Sequence, residues 1–284
     1  MLAAPEGWLV VVPLAWAALA VASPAPHRGT IAVLGIVIQL MLALELARQV
    51  LAGGARLHHV GGWVAPLGID LLADGLAAVM LVLTAAIALA LALYARVWLA
   101  VSRSDSPWLW PLFGTLLAGL DLLFLTNDVF NAYVGLELLG FSAVALVAAE
   151  GAAKQVRAAW FYLVASLVAA SAWLLGVGLL YGTYGTVSLV GLADLMARDM
   201  PLAATLALVI MAAALAVKGA LFPFHVWLPP AHGSAPTPVS ALLSALVVKA
   251  PFYLLLRMRL ALPDSVATTL DGVAALLGSI AIAY

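Results

Sequence analysis

Continuous apolar runs of about 20 residues recur along nearly the whole chain, and nothing else constrains its fold as strongly. At 1.5 Å per residue such a run matches a hydrocarbon layer about 30 Å thick. A transmembrane β-barrel would show shorter segments of alternating polarity instead. Of the 284 residues, 66% are hydrophobic and only 9% charged, against about 25% charged in soluble domains. The expected fold class is therefore all-α: a polytopic transmembrane helical bundle. With no cysteine, disulfides, thiolate-ligated zinc and iron–sulfur clusters are excluded for this chain. The net charge of −1 points to no nucleic-acid partner. The first run has no basic leading region and reads as a first span rather than a cleavable signal.

Proline, glycine and charge divide the apolar sequence into about nine spans, near Trp8–Ala22, Thr30–Leu51, Leu76–Leu99, Trp108–Leu125, Val129–Ala149, Ala158–Tyr181, Pro201–Phe222, Val239–Leu256 and Ser265–Tyr284. Pro223, Pro229 and Pro230 interrupt helical hydrogen bonding, so the seventh span is expected to be broken. The segment GIDLLADGL reads as interfacial, with Asp70 and Asp74 at the membrane face. The tryptophans, among them Trp8, Trp63, Trp98, Trp108 and Trp110, read as interfacial anchors. Flanking cations do not orient the bundle: Arg28, Arg96, Arg103, Lys154 and Arg157 fall on one side, and Arg48, Arg56, Arg198, Arg257 and Arg259 on the other.

Against this background the charges inside the spans stand out. A charged side chain near the bilayer centre costs on the order of 2.5–3.5 kcal/mol even on lenient insertion scales, which makes it a functional candidate. Glu137 lies about nine residues into the fifth span, roughly 13 Å deep. Lys218 lies late in the seventh span and Lys249 about midway through the eighth, so all three fit one mid-membrane plane. A structural ion pair between Glu137 and Lys218 is the plainer reading, but buried pairs add little net stability, and a third ionisable group remains. A lysine loses affinity for its proton when desolvated and regains it beside a carboxylate. At about 4 Å and an effective dielectric near 20, the pair energy is roughly 4 kcal/mol. Separating such a pair would turn a proton holder into a proton donor.

Other polar residues are weaker candidates. His225 and His232, at and after the proline break, could relay protons near neutral pH, or could simply bond backbone carbonyls freed by the break. Asp121 could be an access-path carboxylate. Asn127 and Asp128 read as helix-capping residues of the fifth span. Lys154 reads as a flanking charge that could extend a polar axis.

The ordered residues also resemble a known family. LTNDVFNAYVGLELLGFSAVAL, ending at Leu146, is similar to that family's L-T-G-D-L-F-N-L-x-V-x-x-E segment. KGALFPFHVWLPPAHGSAPTPVSALLSALVVK, from Lys218 to Lys249, is similar to its K-x5-P-x-H-x-W-L-P-x-A-H-x-x-A-P-T-P-x-S-A-L-x-S-x-x-x-x-K segment. The family is that of the proton-translocating antiporter-like membrane subunits of respiratory complex I, membrane-bound hydrogenases and Mrp-type sodium/proton antiporters. The likeness runs from about Leu116 to Arg259 and is greatest to the D-type component of the Mrp antiporter. It implies that Glu137, Lys218, His225 and Lys249 fall on the family's glutamate, central lysine, following histidine and linking lysine. Two departures stand out: Asn127 replaces a glycine, and Ala250-Pro251 follows Lys249, which puts the local helix geometry in question.

The resemblance further implies two inverted five-helix repeats in about fourteen spans. On that scheme residues 1–104 are N-terminal helices, 105–260 the proton-translocating repeat, and 261–284 the start of a second repeat. An N-terminal part of a longer chain is expected. The expected function is a proton-translocating subunit of a multisubunit cation/proton antiporter or related respiratory complex. Its partners would be protons, with Na+ as a second candidate ion, other membrane subunits and the lipid bilayer, in a multi-pass protein of the cell inner (plasma) membrane. No cofactor or metal is expected. Redox or hydrolytic chemistry, as in a quinone oxidoreductase or hydrogenase, would reside in other subunits. The alternative is a noncatalytic membrane scaffold whose buried charges lock helices together.

Overall fold

A computed structural model of the chain describes residues 4–63, 68–102 and 106–283. Arg103 and Tyr284 lie outside the described residues. The helices are α1 (Pro5–Ala22), α2 (Ala25–Gly53), α3 (Gly75–Ser102), α4 (Leu109–Leu125), α5 (Val129–Val147), α6 (Ala153–Tyr184), α7 (Leu189–Arg198), α8 (Leu202–Lys218), α9 (Leu228–Ser234), α10 (Thr237–Leu242), α11 (Lys249–Ala261) and α12 (Asp264–Ala283). Among the described residues, seven helices or helical runs are long and apolar enough to cross a membrane, and α4 and α8 are shorter apolar helices at the fourth and seventh expected spans. The chain is thus an all-α, multi-pass membrane bundle. Its outward face carries large apolar side chains such as Met41, Val97, Trp160, Val168 and Phe252, which suits hydrocarbon rather than water.

Packing inside the bundle relies on small residues that let backbones approach. A side chain on Gly119 of α4 would come within 2.8 Å of the Leu139 amide nitrogen and 3.1 Å of the Gly135 carbonyl on α5. Any larger residue at 119 would push α5 away and with it Glu137, two residues beyond Gly135.

One end of the bundle is closed by polar structure that the hydrophobic pattern does not show. Arg56–His59 and Asp70–Ala73 pair as an antiparallel hairpin, β1 and β2, so the segment read as interfacial is partly strand. Asp70 is buried at this end, and its carboxylate lies 2.6 Å from His59 Nδ1. The α4–α5 turn is stitched between this hairpin and α7: the Asn127 amide donates to the Asp70 carbonyl, and the Leu189 amide to the Asn127 carbonyl. Asp128 caps α5 as expected, accepting from the Phe130 and Asn131 amides at 2.6 and 2.9 Å. Asn127 does not; its side chain donates to Ser188 Oγ, the cap of α7. Trp8, Trp63 and Trp108 are exposed as anchors should be, whereas Trp110 is buried in the core.

The same end is clamped by Arg257 of α11. Its guanidinium donates to both carboxylate oxygens of Asp74, whose Oδ1 also accepts from the Ala77 amide at the start of α3. Tyr253 supports the clamp by donating to the Phe124 carbonyl at 2.7 Å and accepting from Arg257 Nε. Burial alone would raise Asp74, but the bonds from Arg257 and the α3 amides outweigh it and hold the carboxyl below its ordinary range. Stability from this group is present where the unfolded carboxyl would already be ionised, and is lost as pH falls through the lower folded value. Asp74→Asn is expected to cost about 1–3 kcal/mol at neutral pH and to flatten the acid side of the stability profile, as read by thermal unfolding in detergent from about pH 7 down to about pH 3. An unchanged acid limb would remove Asp74 from that role.

Candidate functional site

The break in the seventh span falls earlier than the prolines suggest. α8 stops at Lys218 rather than near Phe222. Its end is a Schellman-type cap: the Leu221 amide donates to the Ala216 carbonyl at 2.9 Å and the Ala220 amide to the Val217 carbonyl at 3.1 Å. The left-handed position of this cap, φ 51°, is held by Ala220 where glycine is usual. The Val217 carbonyl also accepts from the Trp227 indole at 2.9 Å. The carbonyls of Leu215, Ala216 and Val217 at the break are therefore paired although it lies within the bundle. The chain continues through a cis Phe222–Pro223 bond, a 3₁₀ turn at Phe224–Trp227, and α9, in whose first turn Pro229 and Pro230 are accommodated.

Lys218, the last residue of α8, points into the junction of α5 and α6. Its Nζ donates to Glu137 Oε1 and to Ser166 Oγ, both at 2.8 Å. Lys218 and Glu137 are 8% and 9% exposed, so the pair is removed from solvent. Tyr162, one turn before Ser166, stacks on Trp227 with ring centroids 4.2 Å apart. A small cavity of about 10 Å³ is lined by Lys218, Ser166, Gly140, Tyr162, Val247 and Pro251 among others. That is space for about one water centre.

Lys249 is not part of this cluster. It is exposed at the start of α11, and its Nζ donates to the Ser244 carbonyl at 2.6 Å. Ser244 lies in a π-helical segment, Leu243–Val247, that interrupts the eighth span. The resolution of the Ala250-Pro251 departure is here: Pro251 sits in the first turn of α11, just after the π segment, where its missing amide is tolerated. A larger cavity of about 320 Å³ is lined by Lys249, Leu215, Gly219, Leu221, Val248, Phe252 and Leu255. Lys249 and Lys218 thus face two different hollows on either side of the α8–α11 contact.

The remaining candidates are dispersed. His225 is half-buried on the 3₁₀ turn and stacks against Phe222 at 5.6 Å. His232 Nδ1 lies 2.9 Å from Ser240 Oγ, joining α9 to α10. Asp121 is buried on α4, where Oδ2 accepts from Gln39 Nε2 of α2 at 2.5 Å, and it makes no hydrogen bond to Glu137 or Lys218. Lys154 is exposed and donates to the Gly233 carbonyl at 3.2 Å, tying α6 to α9. Among the described residues, no three histidine or carboxylate side chains converge as a metal site. Sequence reasoning missed Ser166. Its only signal was position: it shares a helix face with Tyr162 and Trp173, but serine in an apolar helix commonly bonds its own backbone and draws no attention.

A membrane bundle with a buried carboxylate–ammonium–hydroxyl cluster at the end of a broken helix is the class this fold and site define. Residues 126–284 match the family described as NADH:quinone oxidoreductase/Mrp antiporter, transmembrane, and the chain belongs to that family. It is 37% identical over 234 residues to the N-type component of NADH-quinone oxidoreductase from Desulforudis audaxviator, covering 81% of this chain and 46% of the relative. It is 32% identical over 262 residues to the D-type component of a probable K(+)/H(+) antiporter from Rhizobium meliloti, covering 88% and 48%. To the D-type component of the Na(+)/H(+) antiporter from Bacillus subtilis it is 32% identical over 222 residues, covering 78% and 45%. The chain spans about half the length of these curated relatives. Among solved structures, it superimposes on part of an archaeal membrane-bound sulfane sulfur reductase, a respiratory membrane complex, with TM-score 0.89 at 28% identity, covering 97% of this chain and 57% of the other. The Mrp complex from Dietzia sp. DQ12-45-1b gives TM-score 0.78 at 28% identity, with coverage of 90% and 48%.

The alanine in the left-handed cap gives a direct test of the break. Ala220→Gly removes the steric cost of that conformation, about 1 kcal/mol for a non-glycine residue, and is expected to raise thermal stability in detergent. A clear loss of stability would show that the cap geometry does not govern this segment.

Proposed function

We propose that the chain is a proton-translocating part of a multisubunit cation/proton antiporter or related respiratory complex, resident in the plasma membrane beside other membrane subunits. In this reading residues 105–260 form the translocating repeat and residues 261–284 begin the next. The observation that carries it is the desolvated Lys218 ammonium held by Glu137 at the end of a broken helix, with a second lysine, Lys249, on the neighbouring helical run. Lys218 holds the proton and Glu137 sets how tightly. When the two part, the ammonium loses its counter-charge in a low-dielectric setting and becomes a donor. Lys249 receives the charge on the α11 side. His225 and His232, on the turn and the short helix after the break, connect the relay to water, and Na+ is the candidate counter-transported ion.

Lys218→Ala in vesicles carrying the whole complex is expected to abolish proton movement, measured by a pH-sensitive dye after a cation pulse or substrate addition. Wild-type transport in that variant would sink the reading.

The tight 2.8 Å pair also suits a scaffold in which these charges only pin α5 to α8. The double variant Glu137→Gln with Lys218→Met separates the two readings. A scaffold keeps transport in every molecule that still folds, whereas the relay loses it even when the complex assembles at normal yield on native gels.

A further inference from the structure

Glu137 accounts for only one of the two side-chain bonds that Lys218 makes. The other goes to Ser166 Oγ on α6, also at 2.8 Å, and Ser166 is itself only 6% exposed. The placement is tight: a side chain on Gly140 would come within 2.9 Å of Ser166 Oγ and 3.6 Å of Lys218 Nζ. Gly140, Ser166 and Lys218 line the small cavity together with Val247 and Pro251 of the eighth span. Among the described residues, the titratable groups that bond Lys218 or line its cavity are Glu137 from α5 and Tyr162 from α6; the eighth span lines the cavity with Val247 and Pro251.

A hydroxyl differs from a carboxylate in what it offers the lysine. An ionised carboxylate is an acceptor only and pairs with the ammonium alone. A serine hydroxyl accepts from an ammonium N–H and can also donate to the lone pair of the neutral amine. Bonds to the charged partner are about twice as strong as those to the neutral one, so the hydroxyl still favours the ammonium while leaving the amine paired.

We propose that Ser166 is a positioning residue for proton transfer at Lys218: it holds Nζ at the wall of the cavity lined by the eighth span, and helps retain the proton once the Glu137–Lys218 pair has parted. The inference rests on the relay reading above. Losing the hydroxyl removes a charge-assisted bond from the ammonium and a donor from the amine. The first loss is larger, so the lysine gives up its proton more readily.

The test is the pH profile of proton transport in vesicles carrying the whole complex, for Ser166→Ala, Ser166→Thr and Gly140→Ala beside wild type. Ser166→Ala is expected to shift the half-maximal pH of transport downward by about one unit, equivalent to one charge-assisted bond, and to lower the maximal rate severalfold. Ser166→Thr, which keeps the hydroxyl, is expected to restore the wild-type midpoint. Gly140→Ala, which crowds the hydroxyl without removing it, is expected to shift the midpoint in the same direction by less. A Ser166→Ala profile superimposable on wild type overturns the inference, as does an equal shift in Ser166→Thr. Should Ser166→Ala fail to assemble, the Gly140→Ala midpoint decides alone. If Lys218→Ala still transports, the relay reading itself fails. If Lys218→Ala is inactive and the Ser166→Ala midpoint is unmoved, only the role of Ser166 falls.

Discussion

An ammonium cannot be taken out of water without partners, and the centre of this bundle is built around satisfying one. Lys218 is supported in three ways at once. Glu137 supplies opposite charge, Ser166 supplies a neutral acceptor, and the end of α8 supplies the negative pole of a helix dipole. The third support exists only because the helix stops there. A seventh helix continuing past Lys218 would put the lysine mid-helix, where the peptide dipoles give no net favour. Ending it is structurally costly inside a membrane, because orphaned carbonyls lack water. The cap at Ala220, with its left-handed backbone, and the Trp227 indole offset that cost. The Tyr162–Trp227 stack then fixes the indole against the helix that carries Ser166.

The two lysines are not equivalent, and the difference is one of environment. Lys218 is enclosed, with both its side-chain partners buried beside it. Lys249 is exposed and bonded to a single carbonyl in a π segment. π segments lie frequently at functional sites. Here the bulge moves Lys249 off the register that an uninterrupted helix would give, and sets Val247 and Pro251 against the Lys218 cavity while Val248 and Lys249 face the larger one. This short stretch of backbone and the end of α8 line both hollows.

How much of this is legible in the sequence follows from what each feature depends on. Spans follow from composition along the chain, so α1 to α6, α8 and α12 lie close to where the apolar runs put them. Glu137 and Lys218 announce themselves because charge inside an apolar run is expensive, and their pairing is a guess that depth alone makes reasonable. Ser166 cannot be found that way, since one hydroxyl on an apolar helix carries no such cost. The break also lies earlier than its prolines indicate. Prolines mark where a helix cannot continue, but Lys218-Gly219-Ala220 stops it first by capping, and Pro223 only forbids resumption. The strand pair Arg56–His59 and Asp70–Ala73 is hidden because its strands are four residues each and the second is held by backbone contacts to the distant turn at Asn127. Asp121, read from the sequence as a candidate access-path carboxylate, is buried in a separate α2–α4 contact.

The stitched end of the bundle bears on which member of the buried pair can move. α5 starts at Asp128, bound into the turn between the hairpin and α7, and Glu137 lies nine residues beyond it, about 13 Å along the helix. α11 is fixed at the same end through Arg257 and Tyr253, and Lys249 lies eight residues before Arg257, about 12 Å away. Glu137 and Lys249 therefore share one frame and sit at similar depth from it. Lys218 does not belong to that frame. It ends a helix whose continuation is a left-handed cap, one turn of 3₁₀ helix and a seven-residue helix, held across to α6 by the Lys154–Gly233 bond and the aromatic stack. α8 itself packs along α6, so it is the short segments after Lys218, joined by turns, that can act as a hinge. For the relay proposed above, this arrangement places any parting of Glu137 from Lys218 on the lysine side, with Glu137 and Lys249 held to the same end of the bundle.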